Sequence, residues 1–263
     1  MKNILVTGAY GGMGRATVQK LKAQGFRVFA LDKHVGEAEE NVVPIAADVT
    51  DEESVRCAAE TVQAQARELF AVIHFAGVYM LDSLVEIPSS EFEKIFEINV
   101  FGAFYVNKAF LPLLGSGSRI IMTTSELAPL DPLPFTGLYA VTKAALDKYA
   151  YSLCMELQLL GISVSVIRAG AVSTGMLGSS TSALDAFCSN TALYTCNAER
   201  FKRIVDGVEA KSVPPEKTAS KTLKILQKRR PAFAYALNRN PLLRLLNVLP
   251  KRLQLFAIRQ VLK

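Results

Sequence analysis

Short apolar runs separated by helix-length amphipathic segments set the rhythm of the chain. Asn3 to Thr7 reads as a buried strand, Gly8 to Gly14 as a glycine-rich turn, and Arg15 to Gln24 as a helix. Strand-like runs follow at 27–31, 42–46, 70–75, 118–123 and 162–168, alternating with helix-length segments at 51–69, 89–111 and 138–160. The strand runs are continuously apolar rather than alternating, as expected where both faces of a sheet are covered. This order predicts right-handed βαβ crossovers, hence an α/β fold built on a doubly wound parallel sheet with helices on both faces. At 263 residues and 50% hydrophobic, with no low-complexity linker and no repeat beyond the alternation, one domain is expected.

The first strand, turn and helix carry chemistry. Gly8 permits a tight turn, while Gly12 and Gly14 let backbone amides approach a pyrophosphate at the positive end of the helix, the Rossmann-like arrangement for a dinucleotide. Val28-Phe29-Ala30-Leu31 ends at Asp32, 18 residues after Gly14, where a carboxylate can bond both hydroxyls of an adenosine ribose. That favours NAD(H), because a 2′-phosphate would meet the carboxylate. Lys33, just beyond the strand, leaves NADP(H) open.

Tyr139 and Lys143 lie four residues apart in a predicted helix, 14 residues after Ser125. The spacing places an ammonium on the same face as a phenol. A phenol has a reference pKa of about 10, so a fixed positive charge is what would make it a proton carrier near neutral pH.

Taken together, these motifs resemble the short-chain dehydrogenase/reductase family in its classical form, from Lys2 to about Thr174. Thr7-Gly8-x-x-x-Gly12-x-Gly14 is similar to the family's cofactor loop, Asp48-Val49 to its adenine contact, and Ile98-Asn99-Val100 to the helix position of its fourth catalytic residue. The resemblance implies a tetrad of Asn99, Ser125, Tyr139 and Lys143, with Thr124 as the alternative to Ser125. It also implies a cofactor site formed by Gly8, Tyr10, Gly11, Gly12, Met13, Gly14, Asp32, Asp48, Val49, Ala76, Gly77, Tyr139 and Lys143. Residues 168–174 are similar to the segment lining the nicotinamide pocket, adding Gly170, Val172 and Thr174; Ala169 stands where the family carries proline. His74-Phe75-Ala76-Gly77 occupies the place of Asn-Asn-Ala-Gly, and Gly8, Gly11 and Gly14 also fit the extended branch that acts on nucleotide sugars. His74 itself is expected to be a strand-end imidazole bonded to backbone.

The implied activity is NAD(P)-dependent interconversion of a secondary alcohol and a ketone or aldehyde. Tyr139 would move the hydroxyl proton, Ser125 hold the substrate oxygen, Lys143 bond the nicotinamide ribose, and Asn99 position a water. The alternatives are a non-catalytic NAD(H)-binding sensor or scaffold and an extended-type enzyme for nucleotide sugars.

Charge changes the picture at one end. Residues 217–263 hold 12 Lys or Arg and no acid, so the preceding residues are net acidic beneath the overall +6. Within this stretch, 241–263 interleaves leucine-rich runs with Arg244, Lys251, Arg252 and Arg259. Such a tail can touch an anionic membrane peripherally, cap a lipophilic pocket, or form a subunit interface. The expected organisation is a catalytic domain over 1–240, with a substrate lid at about 175–213, and a basic amphipathic tail of the same domain over 241–263. Ala169 to Leu177, followed by Pro214-Pro215-Glu216 and the tail, is similar to hydroxysteroid and retinol dehydrogenases, implying a small lipophilic substrate such as a steroid, bile acid or retinoid; a homodimer or homotetramer is expected. No nucleic-acid motif accompanies the charge. Cys57, Cys154, Cys188 and Cys196 form no paired motif, His34 and His74 have no ligand-spaced partner, and a strand begins within three residues of Met1. The expectation is therefore a cytoplasmic protein with reduced thiols, without metal, leader or spanning segment, and peripherally membrane-associated at most.

Overall fold

The structure is a computed structural model; it describes residues 1–263, except for the side chains of residues 176–180 and 209. Seven parallel strands form one sheet in the order β3-β2-β1-β4-β5-β6-β7: β1 (Asn3–Thr7), β2 (Arg27–Asp32), β3 (Val42–Ala46), β4 (Leu69–His74), β5 (Leu114–Ser125), β6 (Ser163–Ala169) and β7 (Ala234–Leu237). Helices cover both faces. Val18 and Leu21 of α1 (Gly12–Lys22) and Leu223 and Leu226 of α8 (Pro215–Gln227) pack with Ile4, Val6, Val28 and Ile73. On the other face, α2 (Glu52–Gln63) and α4 (Gly102–Phe110) bury Val55, Val62 and Phe110 against Leu5, Phe29 and Val72. Leu146 and Ala150 of α5 (Gly137–Leu157) pack on Ile120, Met122 and Val166. The strand order reverses between β1 and β4, opening at their carboxyl ends the crevice in which such sheets bind ligands.

Several boundaries depart from the sequence expectation, each for a local reason. The helix expected over 89–111 is α3 (Ser89–Phe96) and α4 joined by a widened π turn at Glu97–Phe101, centred on the buried Asn99. The first helix begins inside the glycine turn, at Gly12, three residues before the periodic segment. Gly161, in the left-handed region with φ 74°, ends the short turn after α5. The edge strand β7 was not anticipated, being only four residues long and mostly half-exposed. The expected lid contains α6 (Gly175–Asn190) and α7 (Thr195–Glu209), and the tail forms α9 (Pro241–Val248) and α10 (Lys251–Leu262). Among the described residues, no helix is long and apolar enough to cross a membrane.

Candidate active site

Two adjoining hollows occupy the carboxyl ends of the strands. The first is a cleft of about 800 Å³ over the β1–β2 and β1–β4 crevice. Its floor is the glycine loop. Gly8 has φ 63°, and a Cβ there would lie 2.5 Å from the Ala76 nitrogen; a Cβ on Gly14 would lie 1.9 Å from the Gly8 carbonyl oxygen. Only glycine fits either position. Helix α1 starts from Gly11 without a side-chain cap, which leaves its first amides to face the cleft. Asp32 ends β2 with one oxygen accepting from Tyr10 N at 3.0 Å and the other from Lys33 N at 2.8 Å. Lys33 turns to Asp48, its Nζ donating to Oδ2 at 2.7 Å. That bond and those from Thr50 hold the Asp48 carboxyl down at about 2.

Tyr10, Gly11, Gly12, Met13, Val49, Ala76, Gly77 and Thr174 also line this cleft, so the structure brings most of the expected cofactor residues together. Its floor has space where any side chain would intrude, bare amides at a helix start and a carboxylate at the end of β2. These features fit a dinucleotide. Gly170 and Val172 lie instead on the wall of the second hollow, with Met13 and Thr174 shared between the two.

The second hollow, about 430 Å³, has Ser125 and Tyr139 in its wall. Helix α5 carries Tyr139 and Lys143 on one face, Lys143 buried and Tyr139 half-buried; the Lys143 Nζ is 5.7 Å from the centre of the Tyr139 ring. Burial pushes the phenol above its ordinary value, and a hydrogen bond with Ser125 pulls it partway back. Burial pushes Lys143 down to about 8, and its Nζ donates to the Thr123 carbonyl at 3.4 Å. Desolvation thus outweighs the expected lowering of the phenol by Lys143, and the protein alone rests with Tyr139 protonated.

Asn99 ties the site together. Its Oδ1 accepts from Val78 N at 2.8 Å, and its Nδ2 donates to Val78 O at 3.0 Å and to Thr142 Oγ1 at 3.1 Å. A Cβ on Gly77 would lie 3.0 Å from this Oδ1 and 3.4 Å from the Lys143 Nζ. The π turn is the backbone's accommodation of that buried amide. Thr124 donates to Asp147 Oδ1 at 3.2 Å, whereas Ser125 lies against the phenol. Asp147 in turn accepts two bonds from Arg168, locking α5 to β6 below the site. His74 bonds the side chain of Asn107 at 2.9 Å, not backbone as expected, and burial pushes it down to about 4.

Sequence reasoning missed three contributors. Tyr79 packs edge-on against Tyr139, with ring centres 4.6 Å apart. Glu126 lines the second hollow directly after Ser125. Phe135, at φ 63°, inserts among Phe187, Tyr194 and Phe201 and so joins the Ser125–Tyr139 loop to α6 and α7. The tail takes one of the three placements its pattern left open, as a wall of the hollow, with Leu242, Leu243, Leu246, Ile258 and Leu262 lining it. Loop and lid tether it: Lys251 pairs with Asp131, Asn247 Oδ1 accepts from Asp131 N at 2.6 Å, and Asn197 donates to the Leu262 carbonyl. The tripeptide Ser125-Glu126-Leu127 was the available signal for Glu126; the other two depend on long-range packing.

Comparison with known proteins agrees with this geometry. The short chain dehydrogenase family matches residues 2–185. Estradiol 17-beta-dehydrogenase 2 of Mus musculus is 37% identical over 190 residues, 68% of this chain and 50% of that protein, so the chain spans about half that relative's length. The 3-ketodihydrosphingosine reductase of Bacteroides thetaiotaomicron is 26% identical over 231 residues, covering 88% of this chain and 85% of that one. The crystal structure of 3-ketoacyl-(acyl-carrier-protein) reductase from Brucella melitensis complexed with NADH superposes with a TM-score of 0.72 at 18% identity, over 90% of this chain and 96% of that one, a likeness of fold. With the glycine cradle, the Tyr139–Lys143 pair and the strand order all in place, the chain belongs to the short-chain dehydrogenase/reductase family of NAD(P)(H)-binding oxidoreductases.

Proposed function

We propose that the protein interconverts a secondary alcohol and a ketone or aldehyde on a lipophilic substrate such as a steroid, bile acid or retinoid, with NAD(H) preferred. The observation that carries this reading is the second hollow, where Ser125 and Tyr139 share the wall with apolar side chains of the lid and tail, among them Phe201, Ile204, Leu243 and Leu246. Bound in the cleft, the nicotinamide supplies the hydride chemistry. Ser125 donates to the substrate oxygen, and Tyr139 delivers a proton to it in reduction or removes one in oxidation. Lys143 holds the nicotinamide ribose and, once so paired, favours the phenolate. The side-chain polar atoms of Asn99 are engaged by Val78 and Thr142, so the water assigned to Asn99 would fall to the backbone of its π turn.

The cofactor preference rests on Asp32, whose carboxylate would oppose a 2′-phosphate, and on Lys33, which is engaged by Asp48. In domain terms, 1–240 forms the catalytic unit, 175–213 the lid and 241–263 a tail that walls the substrate site. The outer side of the tail remains apolar and basic: Leu245, Val248 (82% exposed), Leu255 (68%) and Phe256 are open to solvent beside Arg244, Arg252 and Arg259. This supports peripheral contact of a cytoplasmic protein with anionic lipid. Exposed Phe101 and Phe104 with Val141, Tyr151 and Met155 offer a face for a second copy, supporting a homodimer or homotetramer.

The test is NADH oxidation against a panel of steroid ketones, retinoids, quinones and sugars. Turnover of the steroid or retinoid carbonyls is expected. Turnover confined to sugars, or none with any member, would overturn the reading.

A further inference from the structure

Glu126 follows Ser125 at the end of β5 and lines the second hollow. One carboxylate oxygen, Oε2, accepts from the Asn240 backbone N–H at 2.6 Å. The other, Oε1, has no hydrogen-bond partner among the described residues and lies 2.9 Å from where a Cβ on Gly170 would sit, beside the segment that adjoins the cofactor cleft. Arg239, whose charge acts on this carboxyl, is exposed and forms no ion pair with it among the described residues. Burial accordingly pushes the carboxyl above its ordinary value. Glu126 is half-buried, so Oε1 is left open to the hollow, where a donor on a bound molecule can take the place of water.

Resting on the alcohol–carbonyl reading above, we propose that Glu126 reads the substrate: its free oxygen accepts a hydrogen bond from an amine or hydroxyl carried next to the reacting carbon of a long apolar molecule. Ser125 and Glu126 line the same hollow, and Oε1 lies beside Gly170, so the donor it reads belongs to the part of the substrate that carries the oxygen held by Ser125. The rest of the substrate lies along the leucines of α9 and α10. Because Asn240 starts α9 and shares the same carboxylate, the group that reads the substrate also fixes the tail wall.

The experiment compares kcat/KM, with NAD as oxidant, for a straight-chain secondary dodecanol, its analogue with an amino group on the neighbouring carbon, and the vicinal diol. The wild-type enzyme and Glu126→Gln are both measured, the glutamine retaining volume and one acceptor for Asn240. The wild type should prefer at least one donor-bearing alcohol to the plain one by about tenfold or more, the scale of a hydrogen bond to a charged group. If the donor is an ammonium, Glu126→Gln lowers the amino alcohol at least about tenfold more than the plain alcohol, because the charge is lost. If it is a hydroxyl, which can accept as well as donate, the glutamine amide NH2 donates to it in return, and Glu126→Ala produces the differential loss instead. Equal turnover of all three alcohols by the wild type, or equal losses across them in both variants, would make Glu126 a structural latch and overturn the proposal while leaving the alcohol–carbonyl reading intact. No turnover of any alcohol by the wild type would overturn both.

Discussion

Lys33 and Asp48 are joined across the mouth of the cofactor cleft, Nζ to Oδ2 at 2.7 Å, so the basic residue following Asp32 is engaged by the loop after β3. Asp32 is then left to set the ribose preference. Replacing it with Ala removes an acceptor for the ribose hydroxyls and the charge opposing a 2′-phosphate. The ratio of kcat/KM for NADH over NADPH should fall by about tenfold or more, as for loss of a charged hydrogen bond. An unchanged ratio would show that another residue reads the ribose.

Lys143 exerts its chemistry at a cost to stability. Its folded-state value of about 8 lies below the ordinary 10.5, so the unfolded chain binds its proton more tightly. The group therefore destabilises the fold in full below pH 8, and the cost disappears as pH rises through 10.5. Lys143→Met should abolish turnover and raise unfolding stability at neutral pH by as much as about 3 kcal/mol. A variant that is inactive and also less stable would contradict this.

His74 titrates in the opposite part of the pH range. It is fully buried against Asn107 and held at about 4, against an ordinary 6.5. Stability is complete above the higher value and declines as pH falls through the lower, because the unfolded chain takes up the proton first. Between those limits the wild type should lose about 3 kcal/mol that His74→Asn does not lose. Denaturant unfolding at pH 7 and pH 4 measures it, and parallel declines in the two proteins would exclude His74 as the source.

Some of this was legible in the sequence because it depends on local rules. The glycine loop, Asp32 at a strand end and the four-residue spacing of Tyr139 and Lys143 follow from backbone geometry and helical period. The chain registers them within a few dozen residues. The π turn does not, because Asn99 acquires its partners Val78 and Thr142 from segments 21 and 43 residues away. Nor could the charge of Lys33 reveal that Asp48 engages it. The tail shows the limit of amphipathic patterns: leucines at helical spacing announce an apolar face, but Leu243 and Leu246 face the substrate hollow while Leu245 and Val248 remain in solvent. Periodicity identifies the helix and leaves its neighbours undetermined.

Removing 241–263 should therefore leave cofactor binding intact, since no residue of the tail lines the cleft, and raise KM for large apolar substrates, since α9 and α10 wall their site. Co-sedimentation of full-length protein with anionic vesicles should be strong at low salt, fall at high salt and vanish on truncation, since each basic residue near the surface contributes about 1 kcal/mol that ions screen. Full-length protein remaining in the supernatant at low salt would exclude membrane contact and leave the tail as a wall alone.

The central claim is that Tyr139 carries the proton while the glycine cradle and Asp32 hold the cofactor, so the two can be separated. The direct measurement is NADH binding and ketone reduction by Tyr139→Phe beside the wild type, using the best ketone of the panel. The phenylalanine retains the ring that packs on Tyr79 and removes only the hydroxyl. The account predicts a dissociation constant for NADH within about twofold of wild type and turnover reduced by at least about a hundredfold. Turnover within about fivefold of wild type would remove Tyr139 from the mechanism and contradict the account.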